Sequence, residues 1–155
     1  MLVGKWTYRS FRNDPSLVGG DAAAALGLIF GEGVFDLDMD GEDRFRGGLG
    51  MGTGYALTLS GTVLRGAGSA LEFAIVGLGL QGTATEGWRY DYRCNPGYLW
   101  PEGVEQVPSL VGTVVRVNPQ GPASPAGYTG SFIAVRQPEA RAPRTLRRSA
   151  LTVGL

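Results

Sequence analysis

The sequence predicts an all-β fold: an eight-stranded antiparallel up-and-down β-barrel with a long lid-like loop between strands 1 and 2. Three observations predict it. Eight short segments alternate apolar and polar residues, which is the signature of a strand with one buried face. Glycine contributes 26 of 155 residues and separates most of these segments, as tight turns and barrel bends require. Eight sequential antiparallel strands are also enough to close a small barrel and leave no exposed sheet edge.

Residues 4–12 open the series and place Trp6, Tyr8 and Ser10 on one face. Residues 13–32 form a long connection with a helix-compatible stretch from Asp21 to Phe30, Asp21 being the N-cap candidate. Residues 33–39 set Phe35, Leu37 and Met39 against Asp36 and Asp38, and residues 44–51 gather Phe45, Leu49 and Met51. The Asp40-Gly41-Glu42 turn joins them. An odd-length loop pairs Leu37 with Phe45, Asp38 with Arg44 and Asp36 with Arg46, apolar inside and opposite charges outside. A two-residue loop would set Phe35 against Arg46 and is rejected.

Residues 55–64 align Tyr55, Leu57, Leu59 and Val63; residues 70–78 align Leu71, Phe73 and Ile75; residues 87–94 align Trp88, Tyr90, Tyr92 and Cys94. Residues 109–118 and 127–136 complete the set. Glycines within strands (Gly47, Gly61, Gly77, Gly112 and Gly130) suit close approach in a narrow barrel. Two further connections, 95–108 with Tyr98 and Trp100, and 119–126, are long and proline-rich. The domain spans 1–137, and a basic extension of 138–155 carries Arg141, Arg144, Arg147 and Arg148 against Glu139, a net +3. Terminal segments of this composition are expected to be loosely attached.

Composition excludes whole classes of chemistry. The chain has no histidine and a single cysteine. This removes Ser-His-Asp and Cys-His catalytic units, His-ligated metals, internal disulfides and multi-cysteine metal sites. No metal or cofactor is expected. Formal net charge is zero, which gives no global signal for nucleic acid. No apolar run suits a signal segment or a membrane helix. With the free thiol and the Ala/Gly/Arg bias, the expectation is a bacterial cytoplasmic protein.

Gly4-Lys5-Trp6 resembles the G-x-W that opens the first strand of lipocalins, fatty-acid-binding proteins and avidins, the calycin group. The resemblance implies a small up-and-down barrel that binds a small molecule inside. It also implies a late arginine across the tryptophan, with Arg136 the candidate and Arg116 the competitor. Tyr90-Asp91-Tyr92 is similar to the T-D-Y element of lipocalins, although here it lies in a strand. No biotin-site constellation carries over.

Two motifs are decoys. Gly77-Leu78-Gly79-Leu80-Gln81-Gly82 matches a dinucleotide fingerprint, but a strand-like aromatic segment follows where a helix is needed. Asp36, Asp38 and Asp40 match half of a calcium loop, but its twelfth position is Gly47 instead of glutamate. Asp40, Glu42 and Asp43 read as a solvated turn. Cys94 has no partner to stabilise a thiolate and reads as buried and inert.

An inward Trp6 implies an aromatic lumen. The candidate ligand-binding residues are Trp6, Tyr8, Arg12, Tyr55, Phe73, Trp88, Tyr90, Tyr92, Trp100, Arg116 and Tyr128, with Asn118 and Gln106 as further polar contacts. The expected function is binding of a small apolar or aromatic molecule in the lumen. The alternative is a cofactor-independent cyclase or isomerase of a natural-product pathway, resembling allene oxide cyclase, with Tyr8, Tyr90 or Tyr92 as catalytic candidates. Glu72 and Asp91 would serve as proton acceptors only if inward, and alternation places them outward. A third expectation is self-association through outer-face Val76, Leu78 and Leu80. A filled lumen is the competing expectation, since eight-stranded barrels can be packed by their own side chains.

Overall fold

The computed structural model describes residues 2–14, 16 and 21–139. Eight strands form: β1 (Gly4–Arg12), β2 (Ile29–Met39), β3 (Arg44–Gly50), β4 (Ala56–Arg65), β5 (Leu71–Gly79), β6 (Arg89–Pro96), β7 (Ser109–Arg116) and β8 (Thr129–Arg136). Each pairs antiparallel with its sequence neighbours, and β8 returns to β1, so the sheet is a closed barrel. The side-chain period follows the expected faces. On β1, Trp6, Tyr8 and Ser10 are buried while Lys5, Thr7 and Arg9 face water. On β6, Tyr90, Tyr92 and Cys94 are buried.

Two local expectations are corrected. β2 begins at Ile29, four residues ahead of the expected start at Gly33. The 3-10 segment Ala22–Leu28 stops there, so Phe30 belongs to a strand and not to the helical stretch. Asp21 does cap that segment, its carboxylate accepting from the Ala23 amide at 2.9 Å. The β2–β3 register is shifted by two: Met39 faces Phe45, Asp38 faces Arg46 and Leu37 faces Gly47. The faces survive because a shift of two preserves parity. The reason is space. A Cβ on Gly47 would sit 1.9 Å from the Asp36 carbonyl oxygen.

The same rule recurs round the barrel. Phe45 lies opposite Gly61, where a Cβ would meet its ring at 2.2 Å. Cys94 lies opposite Gly112, where a Cβ would meet the Arg93 carbonyl oxygen at 1.9 Å. Gly61 thus leaves room for the Phe45 ring, while Gly47 and Gly112 let neighbouring strand backbones approach more closely than any side chain would allow.

An up-and-down barrel places connections after odd strands at one end and those after even strands at the other. The β1–β2, β3–β4, β5–β6 and β7–β8 connections therefore share the upper end. The chain start, the β6–β7 connection and residue 137 share the lower end. The lower end is closed by Trp6, which is buried, donates from Nε1 to the Leu2 carbonyl at 2.9 Å, and lies 6.0 Å below the Arg136 guanidinium. Arg136 thus takes the position across the tryptophan, and Arg116 sits at the other end. Gly4 precedes Trp6 with φ +118°, a conformation that favours glycine.

Above this floor the interior is solid. Phe45 packs edge-on to Phe73, with centroids 6.2 Å apart. Higher up, Tyr8, Phe35, Tyr92 and Phe132 interlock at centroid distances of 4.7–6.2 Å. Outside, exposed ion pairs join register partners in Lys5–Asp36 and Arg9–Glu32, offset neighbours in Arg65–Asp43 and Arg93–Glu72, and two residues of one strand in Arg89–Asp91. Exposed pairs of this kind contribute little stability. No helix among the described residues is long and apolar enough to cross a membrane. Most of the expected 138–155 extension, from residue 140 on, lies outside the described residues.

If narrowness sets the glycine positions, Gly112→Ala should cost about 2 kcal/mol or more. Gly50→Ala, whose Cβ would meet nothing within 4 Å, should change stability by less than about 0.5 kcal/mol. Urea denaturation of both variants checks this, and equal effects would contradict it.

Candidate functional site

The upper end of the barrel holds a cavity of about 320 Å³. Its base is formed by Leu49, Leu57, Tyr8 and Tyr92, and its walls by Phe30, Met51, Tyr55, Trp88 and Tyr90. Each strand contributes by parity: the residues that alternate inward near the upper ends of β1, β4 and β6 meet here. The rings form a connected wall. Tyr55 contacts Trp88, Trp88 contacts Tyr90, and Tyr90 contacts Phe30, with centroids 6.1–6.3 Å apart.

One side of the cavity is polar. Tyr90 Oη accepts from Arg116 Nε at 3.3 Å and from Gln120 Nε2 at 2.8 Å. Arg116 is buried, and its guanidinium lies 5.2 Å from the Phe30 centroid and 5.6 Å from that of Tyr128. The proline-rich β7–β8 connection folds back to supply Gln120 and the Pro125 carbonyl, which accepts from Arg116 Nη1 at 3.2 Å. This connection is held by its own backbone bond from the Gln120 amide to the Ser124 carbonyl, 2.8 Å.

The opposite side of the rim is pinned by Thr85. Its hydroxyl donates to the Ala56 carbonyl at 2.7 Å and accepts from the Leu80 amide at 3.1 Å. The glycine motif is thereby explained. A Cβ on Gly79 would lie 1.5 Å from the Thr85 carbonyl oxygen, and Gly82 turns the chain at φ +75°.

The structure brings together Tyr8, Tyr55, Trp88, Tyr90, Tyr92 and Arg116, with Tyr128 behind Arg116. It separates the other candidates. Trp6 and Phe73 line a different hollow of about 220 Å³ at the lower end, with Leu2, Leu99 and Leu110. Arg12 faces water at the end of β1. Trp100 is exposed and stacks edge-on with Tyr98 on the β6–β7 connection, at the end away from the cavity. Of the three long connections, β7–β8 supplies Gln120 to the cavity and β6–β7 lies at the opposite end. Gln106 closes the Trp100 turn, and Asn118 donates to the Gly87 carbonyl at 3.0 Å. Glu72 and Asp91 face outward in ion pairs. Sequence reasoning missed Ser10, Phe30, Met51 and Gln120 as lining residues. Ser10 and Met51 carried the alternation signal; Phe30 was hidden in an apparent helix, and a loop glutamine carries no signal.

The electrostatics favour neutral hydroxyls. Burial pushes the Tyr8 phenol up to about 12, partly opposed by the Ser10 and Tyr92 hydroxyls, and burial raises Tyr92 well above the usual tyrosine range. Both remain phenols near neutrality and suit hydrogen bonding better than proton transfer. Burial likewise raises the Cys94 thiol to about 12, so a thiolate is disfavoured. Among the described residues, no group of three or more His, Cys, Asp or Glu is placed to hold a metal. Asp36 and Asp38 lie along β2 and not in a calcium loop.

A folded pKa raised above the unfolded value stabilises the fold below about pH 10 and withdraws that stability as pH climbs through 12. In a native spectrophotometric titration, Tyr8 and Tyr92 should stay protonated to about pH 11 and ionise with unfolding. All six tyrosines ionising near pH 10 in the folded protein would contradict this.

Comparison with protein-family models, with curated proteins and with solved structures finds no match to this chain. The functional reading therefore rests on the cavity's own geometry.

Proposed function

We propose that this protein is a calycin-like barrel that binds a small apolar or aromatic molecule in its upper cavity. One observation carries the reading. A barrel with a closely packed aromatic middle keeps about 320 Å³ open at its upper end, lined by aromatic rings and a few convergent polar atoms. That volume and lining match small-molecule sites. A barrel filled for stability alone would carry its packing to the rim. Tyr55 and Trp88 stand at the mouth, where a ligand's ring can stack on them.

A second reading, a cofactor-independent cyclase or isomerase, draws on Tyr90. Its oxygen accepts two hydrogen bonds, which leaves its own proton to give to a substrate in the cavity. The high pKa of neighbouring Tyr8 and Tyr92 weighs toward binding. Leu78, Val111 and Ile133 are exposed on the outer face; Val111 and Ile133 are directly paired, while Leu78 lies apart between Thr58 and Arg89. Self-association would use the paired side.

Trp88 reports on occupancy. Titration with a panel of neutral and anionic aromatic compounds should change intrinsic fluorescence at micromolar concentration. Trp88→Phe should abolish that response, and Trp100→Phe should leave it. No response to any compound at millimolar concentration would remove the binding role.

A further inference from the structure

We propose that the upper cavity selects an anionic ligand, an apolar or aromatic molecule bearing one carboxylate, and that Arg116 reads its charge; this rests on the binding role proposed above. Arg116 is only 7% exposed, yet no carboxylate among the described residues pairs with it. By contrast, Arg9, Arg46, Arg65, Arg89 and Arg93 on the outer face each pair with an acid, and Arg136 at the floor pairs with Glu139. A guanidinium keeps its charge at physiological pH. Burying it without a counter-charge is costly.

The contacts it does make are neutral. Nε donates to Tyr90 and Nη1 to the Pro125 carbonyl, while Nη2 donates to no acceptor among the described residues. The rings of Phe30 and Tyr128 offset part of the charge. They accept none of the remaining N–H bonds. The single acid on the cavity wall, Glu32, is half-exposed and turned to Arg9 at 3.3 Å.

The geometry suits a carboxylate. A planar fork with free N–H groups matches two carboxylate oxygens. Tyr90 adds a second donor: Arg116 and Gln120 both donate to its oxygen, so its proton is available to the ligand. Arg116 is the only cation among the lining residues, which fits one negative charge better than a doubly charged phosphate. The aromatic wall beside it takes the ligand's apolar body.

The test compares 2-naphthoate with 2-naphthamide, which share the ring and differ in charge, by calorimetry on the full chain. Wild-type protein should bind naphthoate at least about tenfold tighter. Arg116→Met should lose that preference while still binding naphthamide, and Arg116→Lys should keep part of it. Equal or tighter binding of naphthamide by the wild type overturns charge selection and leaves the binding role standing. Retained preference in Arg116→Met overturns the role of Arg116. Failure of both probes and of neutral naphthalene to bind at millimolar concentration removes the binding role and this inference together. Should Arg116→Met fail to fold, the wild-type pair and Arg116→Lys still decide the matter.

Discussion

Closure of the sheet, sealed where β8 meets β1, is the constraint on which everything else depends. An eight-stranded barrel has an interior only wide enough for side chains to fill. Every inward residue therefore competes with its neighbours for the same volume. Gly61 yields space to the Phe45 ring, and Gly47 and Gly112 admit close approach of the Asp36–Leu37 and Arg93–Cys94 segments. The floor is then closed by Trp6, Leu2 and Arg136 without any covalent link. The fold needs no disulfide, because the core of aromatic and aliphatic side chains is continuous from the floor to Tyr92.

The upper end departs from that economy. Packing stops at Leu49, Leu57, Tyr8 and Tyr92, and the space above is left open. The same end carries the buried cation Arg116 and a bonded rim built through Thr85, Gln120 and Pro125. For the ligand we propose, polar atoms held in place beforehand would lower the entropy cost of binding. Its polar chemistry rests on hydroxyls, the Gln120 amide and one guanidinium, since the chain contains no histidine, Glu32 is turned to Arg9, and Glu72 and Asp91 face outward.

Much of this was legible in the sequence. Alternation fixed which face of each strand turns inward, and the remaining strands start and stop within two residues of expectation. Opposition of Arg136 to Trp6 followed from resemblance and is present. Pair register was not legible in β2–β3, because charge and apolar pairing favour two alignments of equal parity. The observed alignment sets Gly47 against the Asp36–Leu37 backbone, an approach that only glycine permits. The Leu28-Ile29-Phe30 run reads equally as a helix end or a strand start, so Phe30 was misplaced. The location of Trp100 was derivable from counting strands, since a connection after an even strand lies opposite one after an odd strand. The lone charge of Arg116 was not derivable, because its isolation depends on every acid nearby turning outward.

We propose that the upper cavity, and not the lower hollow or the outer face, is where this protein meets a small molecule. Chemical-shift mapping of the backbone amides during titration with 2-naphthoate tests it most directly. Shifts are expected at Ser10, Gly31, Tyr90 and Arg116, with Gly4, Trp6, Phe73 and Leu110 unmoved. Shifts concentrated at the lower end, or spread over the outer face, would contradict it.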